Sequence, residues 1–73
     1  MKLHEYIDKR VILARTLYNA KGDRFDKGRV MVVDGYWRGR LNLNALGGRE
    51  GGRITGVSRG LVVVVEPAGK VES

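Results

Sequence analysis

The sequence predicts an all-β protein in which five short strands close, or nearly close, into a small barrel behind a short N-terminal helical turn. Three observations carry this expectation. Eleven glycines and one proline cut the 73 residues into short segments, which is the punctuation of a β fold rather than of long helices. The segments between them are rich in β-formers, and one of them alternates cleanly at period two. The chain also carries four consecutive valines at 62–65, an edge that an open sheet would leave exposed and that closure protects. The length allows one domain with a thin core, because a chain this short buries only about 60% of the surface it exposes when unfolded.

The elements follow in order. Residues 1–9 form the N-terminal turn, with Leu3, Tyr6 and Ile7 at i, i+3, i+4 spacing on a face that covers one open end. Residues 10–16, Arg-Val-Ile-Leu-Ala-Arg-Thr, are the first strand. Residues 18–28 are a long charged loop with one aromatic anchor, Phe25. Residues 29–34 are the second strand, apolar on both faces through Val30-Met31-Val32-Val33. Gly35 and Gly39 bracket a tight connection holding Tyr36 and Trp37. Residues 38–46 alternate, with Leu41 and Leu43 one way and Arg40, Asn42 and Asn44 the other, so this strand has one wet face. Gly47-Gly48-Arg49-Glu50-Gly51-Gly52 is a hairpin tip. Residues 53–57 return as the fourth strand, where Gly56 marks a bulge or a close backbone approach. Ser58-Arg59-Gly60 makes a single 3₁₀ turn, and residues 61–65 are the last strand, ended by Pro67. The barrel spans 10–67, and 68–73 is a flexible tail.

This order of pieces resembles an SH3-like barrel: a first strand at 10–15, a long first loop at 17–28, a distal hairpin at 47–52 and a short turn, Val57-Ser58-Arg59-Gly60-Leu61-Val62, into the closing strand. More narrowly, the spacing of Gly22, Phe25, Lys27-Gly28, Val30 and Val32, then Trp37-Arg38-Gly39-Arg40-Leu41, then Val57-Ser58-Arg59 is similar to that of short proteins from phages and mobile elements. The resemblance covers about residues 10–66; it implies a fold and is nearly silent on function.

Charge is the loudest compositional feature. Fourteen basic against eight acidic side chains give a net +6. The excess is concentrated at 35–59, where Arg38, Arg40, Arg49, Arg53 and Arg59 face Glu50 alone. Arginine suits bidentate phosphate contacts and ring stacking, so a polyanion is the natural partner. The rival reading is solubility, since small domains often carry a net charge of about 2–8. Absence of cysteine removes disulfides, thiolate nucleophiles and Cys-based zinc sites, and His4 is the only histidine. No apolar run approaches the roughly 20 residues of a membrane span, and no apolar segment follows the N-terminus as in a secretory signal. The expected location is the cytoplasm.

Tyr36-Trp37-Arg38-Gly39-Arg40 is the segment most suited to chemistry. The indole and guanidinium planes stack on bases, and two arginines spaced by one glycine straddle a phosphate. On a strand, Arg38 and Arg40 share a face that Asn42 and Asn44 extend. Arg49, Arg53 and Arg59, with Lys21, Arg24 and Lys27 from the long loop, add phosphate contacts. Trp37 has a rival role as a plug at one barrel end, with the arginines lying over its ring. The glycine-rich 47–52 segment lacks the following Lys-Ser/Thr and helix of a phosphate-binding loop. Asp23, Asp26 and Asp34 lack the ligand pattern of a calcium loop, and Asp23 and Asp26 pair locally with neighbouring cations. No metal site and no cofactor is expected. An enzyme would need a site assembled across subunits around Tyr18, Tyr36 or Ser58, so the chain is read as a non-enzyme.

In the valine run, Val62 and Val64 point inward and Val63 and Val65 outward, joined by Met31 or Val33. Either the N-terminal helical turn or a second copy of the chain covers that stripe. Two functional readings stand. One is a basic domain binding DNA or RNA with low sequence specificity through Tyr36, Trp37, Arg38, Arg40, Asn42, Asn44 and the outlying cations. The other is a protein-interaction module, an accessory or inhibitor subunit of a phage or mobile element. It would use the same face against an acidic protein, or the valine stripe.

Overall fold

The computed structural model describes residues 2–65; Pro67 and the expected tail at 68–73 lie outside the described residues. Among the described residues seven strands run in order: β1 (Arg10–Leu13), β2 (Leu17–Tyr18), β3 (Arg24–Phe25), β4 (Val30–Trp37), β5 (Arg40–Ala45), β6 (Gly48–Val57) and β7 (Val62–Val64). The only helical elements among the described residues are 3₁₀ turns at Leu3–Tyr6 and Arg59–Leu61. The protein is all-β and antiparallel, with a five-stranded sheet ordered β6-β5-β4-β1-β7 and a two-stranded ribbon of β2 and β3 inside the long loop.

The sheet does not close. β6 and β7 are its edges and do not pair with each other. The 3₁₀ turn carries the chain from the end of β6 to the far side of β1, where Val62, Val63 and Val64 pair with Leu13, Ile12 and Val11. The β6 edge is instead capped by the long loop, as the Asn19 side-chain amide donates to the Arg53 carbonyl at 2.8 Å. The same side chain accepts from the Lys21 and Asp23 backbone N–H groups, each at 2.9 Å, so one asparagine both shapes the loop and docks it.

Alternation decides which side chains enter the core. Val11 and Leu13 from β1, Met31 and Val33 from β4, Leu41 and Leu43 from β5, and Ile54 and Val57 from β6 meet under Phe25 and Val62. Among the described residues no polar or charged one is buried. Met31 and Val33 therefore do not join the outward valines; their places on the outer face are taken by the half-buried Val30 and Val32. Ile12 pairs with both Val30 and Val63, so an apolar row crosses β7, β1 and β4. Val63 and Val65 are exposed as the alternation requires, and the N-terminal turn does not cover them.

That turn packs differently from the expected helical face. Leu3 and Tyr6 rest against the core, but Ile7 is exposed. A 3₁₀ turn has three residues per turn, so i and i+3 eclipse and i+4 rotates away. The segment is joined to the sheet by the Asp8 N–H donating to the Val33 carbonyl at 2.9 Å.

Two connections also differ from expectation. Tyr36 and Trp37 continue β4, and the turn is Arg38-Gly39 alone. At the next hairpin the turn is only Leu46-Gly47, with Gly48 at φ +99° and a register shift beside Ala45, so residues 48–52 belong to β6. The glycines further along have another cause: a Cβ on Gly52 would stand 2.8 Å from the Phe25 ring. The bulge expected at Gly56 is present, since Leu41 pairs with Val57 but Leu43 pairs with Ile54.

Candidate functional site

The β4–β5 hairpin positions the most exposed aromatic ring of the molecule. Trp37 pairs with Arg40 across the last rung and is 68% exposed, so it does not plug the core. Arg38 and Gly39 occupy the turn at φ +52° and +80°. Both central residues of a two-residue turn need positive φ when the turn follows the strand twist, and Asn-Gly is the usual solution. Arginine in that region costs about 1–2 kcal/mol. The strained turn holds the Arg38 guanidinium 5.6 Å from the centroid of the Trp37 ring. Arg38 thus lies in the turn rather than on a strand face with Arg40. Arg38→Asn is expected to stabilise the fold by about 0.5–1 kcal/mol, because asparagine tolerates this conformation; the urea midpoint measures it.

Behind the ring, Arg40, Asn42 and β6 form a shallow, open depression of about 410 Å³ lined by Trp37, Arg38, Arg40, Asn42, Thr55 and Gly56. The bulge at Gly56 ties its floor together. Arg40 Nη1 donates to the Gly56 carbonyl, and the Gly56 N–H donates to Asn42 Oδ1, each at 3.4 Å. Asn42 is thereby oriented with its Nδ2 donor unpaired among the described residues. Among the described residues no acidic side chain lines this depression. Two neighbouring depressions, beside the long loop, both include Asp23 and Glu50.

The structure does not bring the other expected contacts to this place. Tyr36 pairs with the buried Leu41 and so turns to the opposite face from Trp37. Asn44, Arg49 and Arg53 belong to an internal network one step along the sheet. Arg53 donates to the Asp34 carboxylate and, at 2.9 Å, to Asn44 Oδ1, while Arg49 reaches Asp34 at 3.4 Å. The bulge between Val33 and Gly35 swings Asp34 into that position. The Arg53 charge expected to meet phosphate is thus paired with a carboxylate that Arg49 also reaches, through a contact between strands that no local pattern encodes. On the long loop, Arg24 pairs with Asp26 at 2.6 Å, Lys21 lines a separate depression with Arg49 and Arg53, and the Lys27 backbone N–H donates to Thr16 Oγ1 at 3.1 Å. None of the three lines the depression at Trp37. Arg59 stands on the 3₁₀ turn that follows Val57, the residue paired with Leu41, at the Trp37 end of the sheet. Ser58 caps that turn by accepting the Gly60 N–H at 3.3 Å. His4 is exposed on the first turn, and the described residues contain no group of three His, Cys, Asp or Glu able to hold a metal.

Sequence reasoning missed Thr55 and Gly56, whose place on the outer face depends on the bulge. It also missed Arg10, which shares that face through the register Arg10–Val32–Asn44–Arg53. The alternation of Arg10 and Ile12 against Val11 and Leu13 was the available signal.

The hydrogen bond from Arg53, with the charges of Arg53 and Arg49, holds the Asp34 carboxyl below its ordinary value against a smaller opposing effect of desolvation. A carboxylate whose folded pKa is depressed contributes stability above its unfolded pKa of about 3.9, and loses it as pH falls through the folded value. Asp34→Asn is therefore expected to lower the urea midpoint at neutral pH, and its midpoint is expected to fall less on acidification than that of the parent protein. Equal acid sensitivity of the two proteins would contradict this assignment.

Among the described residues no helix is long and apolar enough to cross a membrane. No protein-family model, curated protein or solved structure matches this chain.

Proposed function

We propose that this chain is a small nucleic-acid-binding domain of low sequence specificity, acting through the Trp37 end of its sheet. The observation that carries the reading is the depression, without an acidic lining side chain among the described residues, in which an exposed indole is flanked by Arg38 and Arg40. An aromatic face offers stacking to any base, and guanidinium groups meet phosphate without reading sequence. The net charge of +6 favours encounter with a polyanion. The long first loop, the β5–β6 hairpin and the 3₁₀ turn before the last strand support reading the open sheet as an SH3-like barrel. The cytoplasm as site of action and the kinship with phage proteins belong to the same proposal and rest on the sequence.

The test is fluorescence anisotropy of labelled mixed-sequence oligonucleotides, single- and double-stranded, at two salt concentrations. The expected result is binding that weakens steeply with salt, as counterion release requires. Absence of binding at low salt overturns the reading.

A second reading has its own observation. Val63 and Val65 are exposed beside the open edge of β7, with Ile12 and Val30 next to them. Such a stripe suits an apolar protein surface or a second copy of this chain. Sedimentation across a concentration series tests the second copy, and a single monomeric species throughout removes it.

A further inference from the structure

The depression at Trp37 fits an unpaired base, and we infer that the ligand class is single-stranded nucleic acid, with one base stacked on the Trp37 indole. This rests on the nucleic-acid reading above and narrows it. Three features of the site point the same way. First, the ring is 68% exposed at the tip of a hairpin, while Arg38 lies over it at 5.6 Å. A cation near one part of the ring leaves the remainder for a flat partner, and a base inside a duplex has no free face to offer. Second, the groups around the ring are those that an extruded base and its phosphate use. Arg40 is fixed by one hydrogen bond to the Gly56 carbonyl and keeps its remaining N–H donors for phosphate. Asn42, held through its Oδ1, presents the Nδ2 donor to acceptors on a base edge or sugar. Third, the broad track of cations that would follow a duplex backbone is interrupted. Arg53 is paired with Asp34, which Arg49 also reaches at 3.4 Å, Arg24 is paired with Asp26, and Asp23 and Glu50 line the depressions on that side.

The strained turn supports the same assignment. A non-glycine residue held at positive φ is tolerated where its side chain is needed, and here the turn sets Arg38 against the ring. The cluster is small, so the footprint belongs at the lower end of the roughly 4–16 nucleotides that compact β modules cover.

The experiment titrates parent, Trp37→Ala and Trp37→Phe proteins with a short mixed-sequence single strand and with its duplex at low salt. It follows anisotropy of the label in all three proteins and emission of the single tryptophan in the parent. Trp37 is exposed, so the substitutions spare the core; far-UV circular dichroism verifies folding. The single strand is expected to quench the indole and to bind more tightly than the duplex. Trp37→Ala is expected to lose about 5- to 150-fold in affinity for the single strand, as removal of one stacked base predicts, and Trp37→Phe to keep much of that affinity. Duplex binding should not respond to either substitution. If single strand and duplex bind equally and Trp37→Ala changes neither, the single-strand inference fails while the nucleic-acid reading stands. If neither binds, both fail.

Discussion

Phe25→Ala is expected to leave the domain with too little stability to fold at room temperature. Phe25 is the largest fully buried side chain, 1% exposed, and it hangs from a strand of only two residues. Its ring lies against Gly52, and the Arg29 guanidinium sits 5.2 Å from its centroid on the solvent side. Truncating a buried phenylalanine costs about 3–5 kcal/mol. A single core in a chain of this size rarely supplies more than about 3–5 kcal/mol in total. Circular dichroism during a urea titration measures the loss; a cooperative transition within about 1 kcal/mol of the parent would contradict the role given to this ring. Gly52→Ala probes the same contact from the other side. It adds a Cβ at φ +127° and 2.8 Å from the ring, so it should destabilise both by backbone strain and by collision. In a Phe25→Leu background the collision part should shrink and the strain should remain, so the cycle separates them.

The ease of reading each element from sequence follows from how local its cause is. Leu41 and Leu43 against Arg40, Asn42 and Asn44 are legible, because one buried face imposes period two along a single strand. Phe25 as the anchor of the long loop is legible too, being the one large apolar residue in a charged stretch. The β6 start is not legible. Glycines at 51 and 52 look like turn residues, whereas Gly52 is required by a ring 27 positions earlier in the chain. Closure is not legible either: whether β6 meets β7 depends on where a 3₁₀ turn sends the chain. At the site, Trp37, Arg38 and Arg40 come from one hairpin and are found together. Arg49, Arg53 and Asn44 share their residue types with the site, but Arg53 is engaged by Asn44 and by Asp34, which a bulge places across the sheet within reach of Arg49 as well.

That division makes the arginines separable by experiment. Arg38→Ala with Arg40→Ala removes the two cations that flank the indole, and the slope of log affinity against log salt for a single strand should fall by about 1.4, at roughly 0.7 per phosphate contact. Over a fourfold rise in salt, the parent should then lose about sevenfold more affinity than the double variant. Arg53→Ala removes a charge of the same type from the same face of the sheet, yet it should leave the slope nearly unchanged. The Arg53 guanidinium is engaged by Asp34 and Asn44 and is only 28% exposed, so it displaces no counterion from the ligand. Net charge alone would predict that each arginine lost weakens binding alike, whichever it is. Equal effects of Arg53→Ala and a single Arg40→Ala would therefore assign the binding to the overall +6 charge, and the hairpin tip would lose its claim as the site. A slope that moves with Arg38 and Arg40 and ignores Arg53 ties the affinity to the geometry around Trp37.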